Sequence, residues 1–227
     1  MFHKLMHKHG VEAPAAQAVR NRRGLVAELI DSIAREQPSW QPLRIMSVAC
    51  GSAAEMMDIF KHQSDADRFE LTFFDQDTQA LTEAKQSIED VQARLERPIK
   101  TDFINASVRT MLRTPQVVSS KGKFHLIYSM GLFDYLTPPV AKAVAEKMYQ
   151  MLSPGGIMFI GNFHVANSDR YYLEYWMDWV LYYRTEEELL DIVAGLRVAA
   201  KTVQFEPTGT QMFLKVRKPD LVVRKPE

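Results

Sequence analysis

The sequence predicts an α/β fold: a mostly parallel, doubly wound sheet of seven strands, closed by a C-terminal antiparallel hairpin and covered by helices on both faces. Three observations predict it. Short apolar runs alternate with helical periods at the spacing of crossover-linked parallel strands. A loop of small residues follows the first run, and an acid ends the second. The last two extended segments flank the turn Pro207-Thr208-Gly209-Thr210, as a hairpin does.

Each element has a local reason. Pro14 opens a helix at little cost, because the first turn has no use for its missing N–H. Ala15, Ala18, Val19, Arg22, Val26, Leu29, Ile30 and Ile33 keep the helical period, and Pro38 stops it. Leu43 to Ala49 is the first strand, Cys50-Gly51-Ser52 a turn, and Ala53 to Lys61 a helix. Phe69 to Phe74 is the second strand, ending at Asp75. Asp77 caps a helix whose inner face is Leu81, Ala84, Ile88, Val91 and Leu95. Ile99–Ile104, Phe124–Tyr128 and Ile157–Ile160 are the next strands, with a helix over Val140–Leu152 and a turn at Ser153-Pro154-Gly155-Gly156. Thr185-Glu186-Glu187-Glu188 is a capping box opening a helix to about Ala194. Val198–Phe205 and Gln211–Val216 form the hairpin.

The 227 residues suit one generous domain with an arm. Residues 1–40 are expected to be an N-terminal arm and helix, 41–217 the main domain, and 218–227 a solvated tail. Lys plus Arg number 28, as do Asp plus Glu, so net charge alone holds the chain to neither nucleic acid nor an acidic membrane. No stretch has the length and apolarity of a membrane span, and the opening residues His3, Lys4, His7, Lys8 and His9 lack the apolar run of a secretory signal. One cysteine, Cys50, excludes an internal disulfide and suits a reducing cytoplasm. His3, His7 and His9 have no Cys partners, so no metal is expected.

The chemistry concentrates in two loops. In Ala49-Cys50-Gly51-Ser52-Ala53, small residues at alternating positions let the backbone approach a ligand, and the helix that follows offers N–H groups. Asp75, at the tip of the second strand, can accept the ribose hydroxyls of an adenosine. Gly51 also fits a plain tight turn. The loop departs from G-x-G-x-x-G, which argues against a pyrophosphate and for an adenosine with a short amino-acid chain.

Ile45 to Ala54, Phe73-Phe74-Asp75-Gln76-Asp77 and Met151-Leu152-Ser153-Pro154-Gly155-Gly156, with the closing hairpin, resemble class I S-adenosylmethionine-dependent methyltransferases over residues 40–217. Ser47-Val48-Ala49-Cys50-Gly51, Asp75-Gln76-Asp77, Tyr128 to Leu136, Gly161-Asn162-Phe163 and Tyr183-Arg184-Thr185-Glu186 are similar to a bacterial subfamily that makes 3-hydroxy fatty acid methyl esters, a quorum-sensing signal. The resemblance implies a Rossmann-like sheet, S-adenosyl-L-methionine as cofactor, and a small apolar or amphipathic acceptor. It implies that Ala49, Cys50, Gly51 and Ala53 line the methionine side, Asp75 the ribose, Gln76 the adenine, Asn105 and Ala106 the adenine edge, and Ser129, Met130 and Gly131 the region of the sulfonium. Ser47 stands where such enzymes often carry an acid, so Glu55 or arginines of the first helix must supply its role. The Asp/Asn-Pro-Pro-Tyr motif of base-amino methyltransferases is absent, which weakens a nucleic-acid reading.

Two residues are candidates for proton handling. Asp134, in an apolar loop, is either a base with a raised pKa or a cap for the helix near Thr137. His164, just beyond the fifth strand, is the histidine nearest the expected cleft, whereas His125 is read as structural. Phe133, Tyr135, Phe163, Tyr172, Tyr175, Trp176 and Trp179 are the expected substrate-side aromatics. An aromatic helix over 169–184 fits three roles: lid over the pocket, packing on the sheet, or homodimer contact. A carboxylate acceptor would attack an activated methyl unaided, whereas a hydroxyl or ammonium would need a base. The alternatives to carboxyl O-methylation are another small-molecule O- or N-methyltransferase, a non-catalytic cofactor-binding protein, a nicotinamide oxidoreductase, and an RNA methyltransferase.

Overall fold

The computed structural model describes residue 8 and residues 10–61, 66–114 and 121–220. His3, His7 and His9 lie outside the described residues, as does the end of the tail. The elements are α1 (Pro14–Glu36), β1 (Leu43–Val48), α2 (Met56–Ile59), β2 (Phe69–Asp75), α3 (Thr78–Leu95), β3 (Lys100–Asn105), α4 (Val108–Arg113), β4 (Phe124–Ser129), α5 (Pro138–Met151), β5 (Leu152–Phe163), α6 (Arg170–Trp176), α7 (Glu186–Asp191), β6 (Ala200–Phe205) and β7 (Gln211–Arg217).

One seven-stranded sheet has the order β3-β2-β1-β4-β5-β7-β6. Strands β1 to β5 pair in parallel, and β7 pairs antiparallel with both β5 and β6. The expected fold class is therefore the observed one. Strand order reverses between β1 and β4, and a crevice opens beyond the carboxyl ends of strands at such a point.

Successive side chains of a strand face opposite ways, so each strand feeds two cores. Ile45, Leu71, Phe73 and Tyr128 join Val26, Ile30 and Ile33 of α1 and Ala84 and Ile88 of α3. Met46, Val48 and Ile127 join Val144 and Met148 of α5 on the other face. A third cluster ties Ala15 and Ala18 of α1 to Phe163, Leu173 and Leu181. Helix α1, from the segment before residue 41, is thus part of the packing of the sheet. Its first turn is also capped from afar, since the Ala15 N–H donates to the Asp169 carboxylate at 2.7 Å.

Several expectations need correction. The aromatic helix stops at Trp176, and Asp178 has a φ of 50°. Trp179 to Tyr183 therefore do not continue a helical face. The helix after Gly51 shrinks to Met56–Ile59, because the backbone bends at Ala49, Gly51 and Ala53 first. Strand β5 absorbs the expected turn at 153–156, with a register shift opposite Phe124 to Leu126. The Asp77 cap and the Thr185/Glu188 capping box form as expected.

Ile30→Ala should cost about 2–5 kcal/mol in urea unfolding, the range for truncating a fully buried aliphatic side chain. A cost below about 1 kcal/mol would show that α1 is not built into the core.

Candidate active site

The site begins with a bent loop. Ala49, Gly51 and Ala53 have φ of 54°, 55° and 49°. Left-handed backbone costs an alanine about 1–2 kcal/mol, so two alanines there mark a conformation the surroundings enforce. The carboxylate of Asp75 supplies part of that force. Its Oδ2 accepts the Gly51 N–H and its Oδ1 the Asp77 N–H, both at 3.0 Å. A carboxylate offers about four lone-pair positions, so both oxygens keep capacity for a further donor. The Asn105 Nδ2 donates to the carbonyls of Asp75 and Gln76, and the Ala106 N–H to that of Asp75, which braces the acid loop from β3.

Two cavities meet at Ala49. One, of about 230 Å³, is lined by Phe74, Asp75, Gln76, Ala106, Leu132 and Tyr135, among others. It pairs apolar walls with one carboxylate at its edge, which fits an adenosine. The second, of about 400 Å³, runs under α1 past Gly51 to Glu55, Tyr128, Met130, Gly131 and the arginines Arg20, Arg22 and Arg23. A Cβ on Gly51 would meet nothing within 4 Å and would project into open space. The loop thus leaves room that a side chain would fill, as a bound amino-acid chain requires.

At the end of the second cavity, the Tyr128 hydroxyl donates to the buried Glu55 carboxylate at 2.7 Å. Burial pushes the Glu55 carboxyl above its ordinary range, while Tyr128, Arg22 and Arg23 oppose the shift. Ser47 lies buried beside the same hydroxyl. An acid is therefore present at this end, but it comes from the residue before α2 and not from β1. Burial pushes the Cys50 thiol far up, so it stays protonated.

The structure brings together Ala49, Cys50, Gly51, Ala53, Glu55, Met130 and Gly131 in the larger cavity, and Asp75, Gln76 and Ala106 in the smaller. Asn105 acts on the loop backbone instead, and Ser129 is wholly buried with its hydroxyl unpaired. His164 lines neither cavity. Its ring packs edge-to-face on Phe205 at 5.2 Å and its Nδ1 accepts the Ala166 N–H, because β5 carries it toward the hairpin edge. Phe133 and Phe163 are core side chains. Tyr175 and Trp176 are 84% and 61% exposed, and Tyr172 packs against the third cluster. Tyr135 lines the smaller cavity, and Trp179, which lines neither, donates Nε1–H to the Tyr135 hydroxyl at 2.7 Å.

Asp134 is 2% exposed and caps no helix. Its Oδ1 accepts the Phe163 N–H at 2.7 Å, and its carbonyl accepts the Tyr182 N–H. Arg184, also buried, donates to the carbonyls of Phe133 and Leu136 and to the Asn162 side chain. Together these groups lock the loop after β4, which lines both cavities. Arg184, Asn162 and Tyr128 stand in the sequence only as members of the resembling segments, with no role of their own; their convergence after folding gives them one.

Residues 45–156 match the methyltransferase domain family. Chemotaxis protein methyltransferase 2 of Vibrio cholerae is 26% identical over 163 residues, covering 61% of this chain and 56% of that protein. The chain therefore matches just over half of that relative's length. Magnesium protoporphyrin IX methyltransferase from Synechocystis PCC 6803, solved with bound S-adenosylmethionine, superposes with a TM-score of 0.61 at 11% identity over 89% of this chain and 83% of that one. An O-methyltransferase family protein from Burkholderia thailandensis gives 0.63 at 12% identity, over 91% and 60%. The family match covers just under half of the chain, and the two superposed structures share its fold. No helix among the described residues is long and apolar enough to cross a membrane, and no group of three or more His, Cys, Asp or Glu among them is placed to hold a metal ion.

The buried Asp134 carboxyl has its pKa raised to about 7 from 3.8, chiefly by desolvation. Between those values the folded protein keeps a proton that the unfolded chain releases. This contribution to stability is complete below about pH 4 and is lost as pH rises through about 7. Asp134→Asn keeps an acceptor for the Phe163 N–H and should abolish that component, worth a few kcal/mol. Urea unfolding at pH 5 and pH 7.5 measures it, and an unchanged difference between the two pH values would refute the assignment.

Proposed function

We propose that this chain is an S-adenosylmethionine-dependent methyltransferase that acts on a small apolar or amphipathic acceptor, by O-methylation of a carboxylate on a fatty-acid-like molecule. The observation that carries the reading is the pair of cavities meeting at Ala49, one edged by Asp75 and the other ending at Glu55 under a row of arginines. The cofactor supplies a methyl group on a sulfonium, which passes to a nucleophile as the sulfur–carbon bond breaks and S-adenosylhomocysteine is left.

The chain's own residues bind, orient and exclude water. Asp75 holds the ribose hydroxyls with the lone pairs that the loop N–H groups leave. Phe74, Gln76, Ala106 and Leu132 enclose the adenine. Glu55, charged once it meets an ammonium, receives the amino group of the methionine chain, and Tyr128 keeps the carboxylate in place. Met130 and Gly131 border the reacting region. Helix α1 roofs the larger cavity, and a dry site strengthens each of these electrostatic contacts.

The acceptor assignment follows from which groups line the cavities. The two candidate bases are elsewhere: His164 faces Phe205, and Asp134 lies beneath the loop, bound to the Phe163 N–H. A carboxylate arrives deprotonated and needs no base, and the arginines suit its charge. Tyr135, on the rim where the smaller cavity is bordered by the loop after β4, offers an apolar edge for its tail.

Thermal-shift and calorimetric titration test the reading. S-adenosylhomocysteine should stabilise the protein and NAD should not. Asp75→Ala should weaken S-adenosylhomocysteine binding at least tenfold, about 1.4 kcal/mol or more. Stabilisation by NAD alone, or unchanged affinity in the variant, would overturn it. Label transfer from S-adenosylmethionine to a bacterial lipid extract separates an enzyme from a binding protein.

A further inference from the structure

Helix α1 presents three arginines to the larger cavity, and they have different surroundings. Arg20 Nη2 donates to the carbonyl of Val11 and to Gln17, away from the loop after β4. Arg23 Nη2 donates to the Ala54 carbonyl at 2.9 Å and pairs with Asp58 at 2.8 Å, on the α2 side. Arg22 turns the other way. Its Nη1 donates to the Met130 carbonyl at 3.1 Å, and the same nitrogen lies 3.2 Å from where a Cβ on Gly131 would stand. Gly131 therefore leaves the space that the guanidinium occupies.

A guanidinium has five donors in a fixed fork, and Arg22 uses one of them on Met130. Desolvation lowers its pKa, and the Asp134 and Glu55 carboxylates oppose the shift. Glu55 already accepts the Tyr128 hydroxyl and Asp134 the Phe163 N–H, and no salt bridge joins either to Arg22 among the described residues. A cation held this way, on a cavity wall, suits an anionic ligand with planar, two-oxygen geometry.

We propose that Arg22 is the acceptor-specificity residue: it binds the carboxylate of the acceptor and aims one oxygen at the region bordered by Met130 and Gly131. The inference rests on the methyltransferase reading and adds a division of labour. Arg23 is braced by Asp58, whereas Arg22, which also lies near enough to Glu55 to oppose its shift, keeps its remaining donors for the acceptor. Arg22→Lys keeps the charge but loses the fork, and Arg22→Gln loses both.

The probe is dodecanoate, titrated by calorimetry into the protein saturated with S-adenosylhomocysteine, with dodecanol as the uncharged control. The expected result is dodecanoate binding to the unsubstituted protein, a loss of at least tenfold in Arg22→Gln, a smaller loss in Arg22→Lys, and no change for dodecanol in either. S-adenosylhomocysteine affinity should stay within about twofold in both variants. If Arg22→Gln and Arg22→Lys bind dodecanoate as tightly as the unsubstituted protein, or if the unsubstituted protein does not bind it, Arg22 has no such role, while the methyltransferase reading stands. If S-adenosylhomocysteine affinity falls in both variants, Arg22 serves the cofactor and the proposal is overturned. Failure of the unsubstituted protein to bind S-adenosylhomocysteine removes the underlying reading instead.

Discussion

The hydrogen bond from the Gly51 N–H to the Asp75 carboxylate joins the tips of two neighbouring strands, and the site is arranged around it. It fixes a loop whose backbone bends into the left-handed region at three alternating positions. Two of these are alanines, for which that conformation is unfavourable. The loop pays for its shape with a carboxylate that is also positioned to meet a ligand. One side chain thus both builds the floor of the crevice and offers it a charge. The braces from Asn105 and Ala106 hold the acid in turn, so three strand ends cooperate in one turn.

A second constraint acts on the opposite wall. The loop after β4 borders both cavities, yet its residues 133–135 form only a short helical turn. Its rigidity comes from buried polar groups. Asp134 is tied to β5 through the Phe163 N–H, and Arg184 gathers two loop carbonyls and the Asn162 side chain. A buried charge without such partners would be costly, so the network holds the loop in one arrangement. Helix α1 completes the enclosure, anchored by Asp169 at its start and by Asn21 to Glu206 further on. These anchors, with the core packing of Val26, Ile30 and Ile33, fix where the helix lies and so where its arginines meet the cavity.

How much of this was legible in the chain depends on range. The sheet class followed from strand-length apolar runs alternating with helical periods, and the Asp77 cap and Thr185 capping box from short-range donor and acceptor spacing. Gly51 and Asp75 were readable for the same reason, since each sits at the end of a strand of known direction. The aromatic segment was misread because residue type says nothing of the break at Met177, which the positive φ at Asp178 accompanies. Phe163 is core because β5 pairs with β7 there, and His164, the residue after β5, is turned onto Phe205; neither facing is set by the local sequence.

The chain alone determined the local ingredients of the sheet, a small-residue loop after the first strand and an acid at the end of the second. These depend on backbone conformation and on contacts between residues close in sequence or on successive strands. Tertiary structure decided that Glu55 lies at the far end of the larger cavity, that Arg22 bonds to Met130 and Arg23 to Ala54, and that Asp134 is a buried brace. Those assignments join residues such as Arg22 and Met130, or Asp134 and Arg184, that lie far apart in the chain. Their meeting depends on how helices and loops pack over the sheet, and no local pattern encodes it.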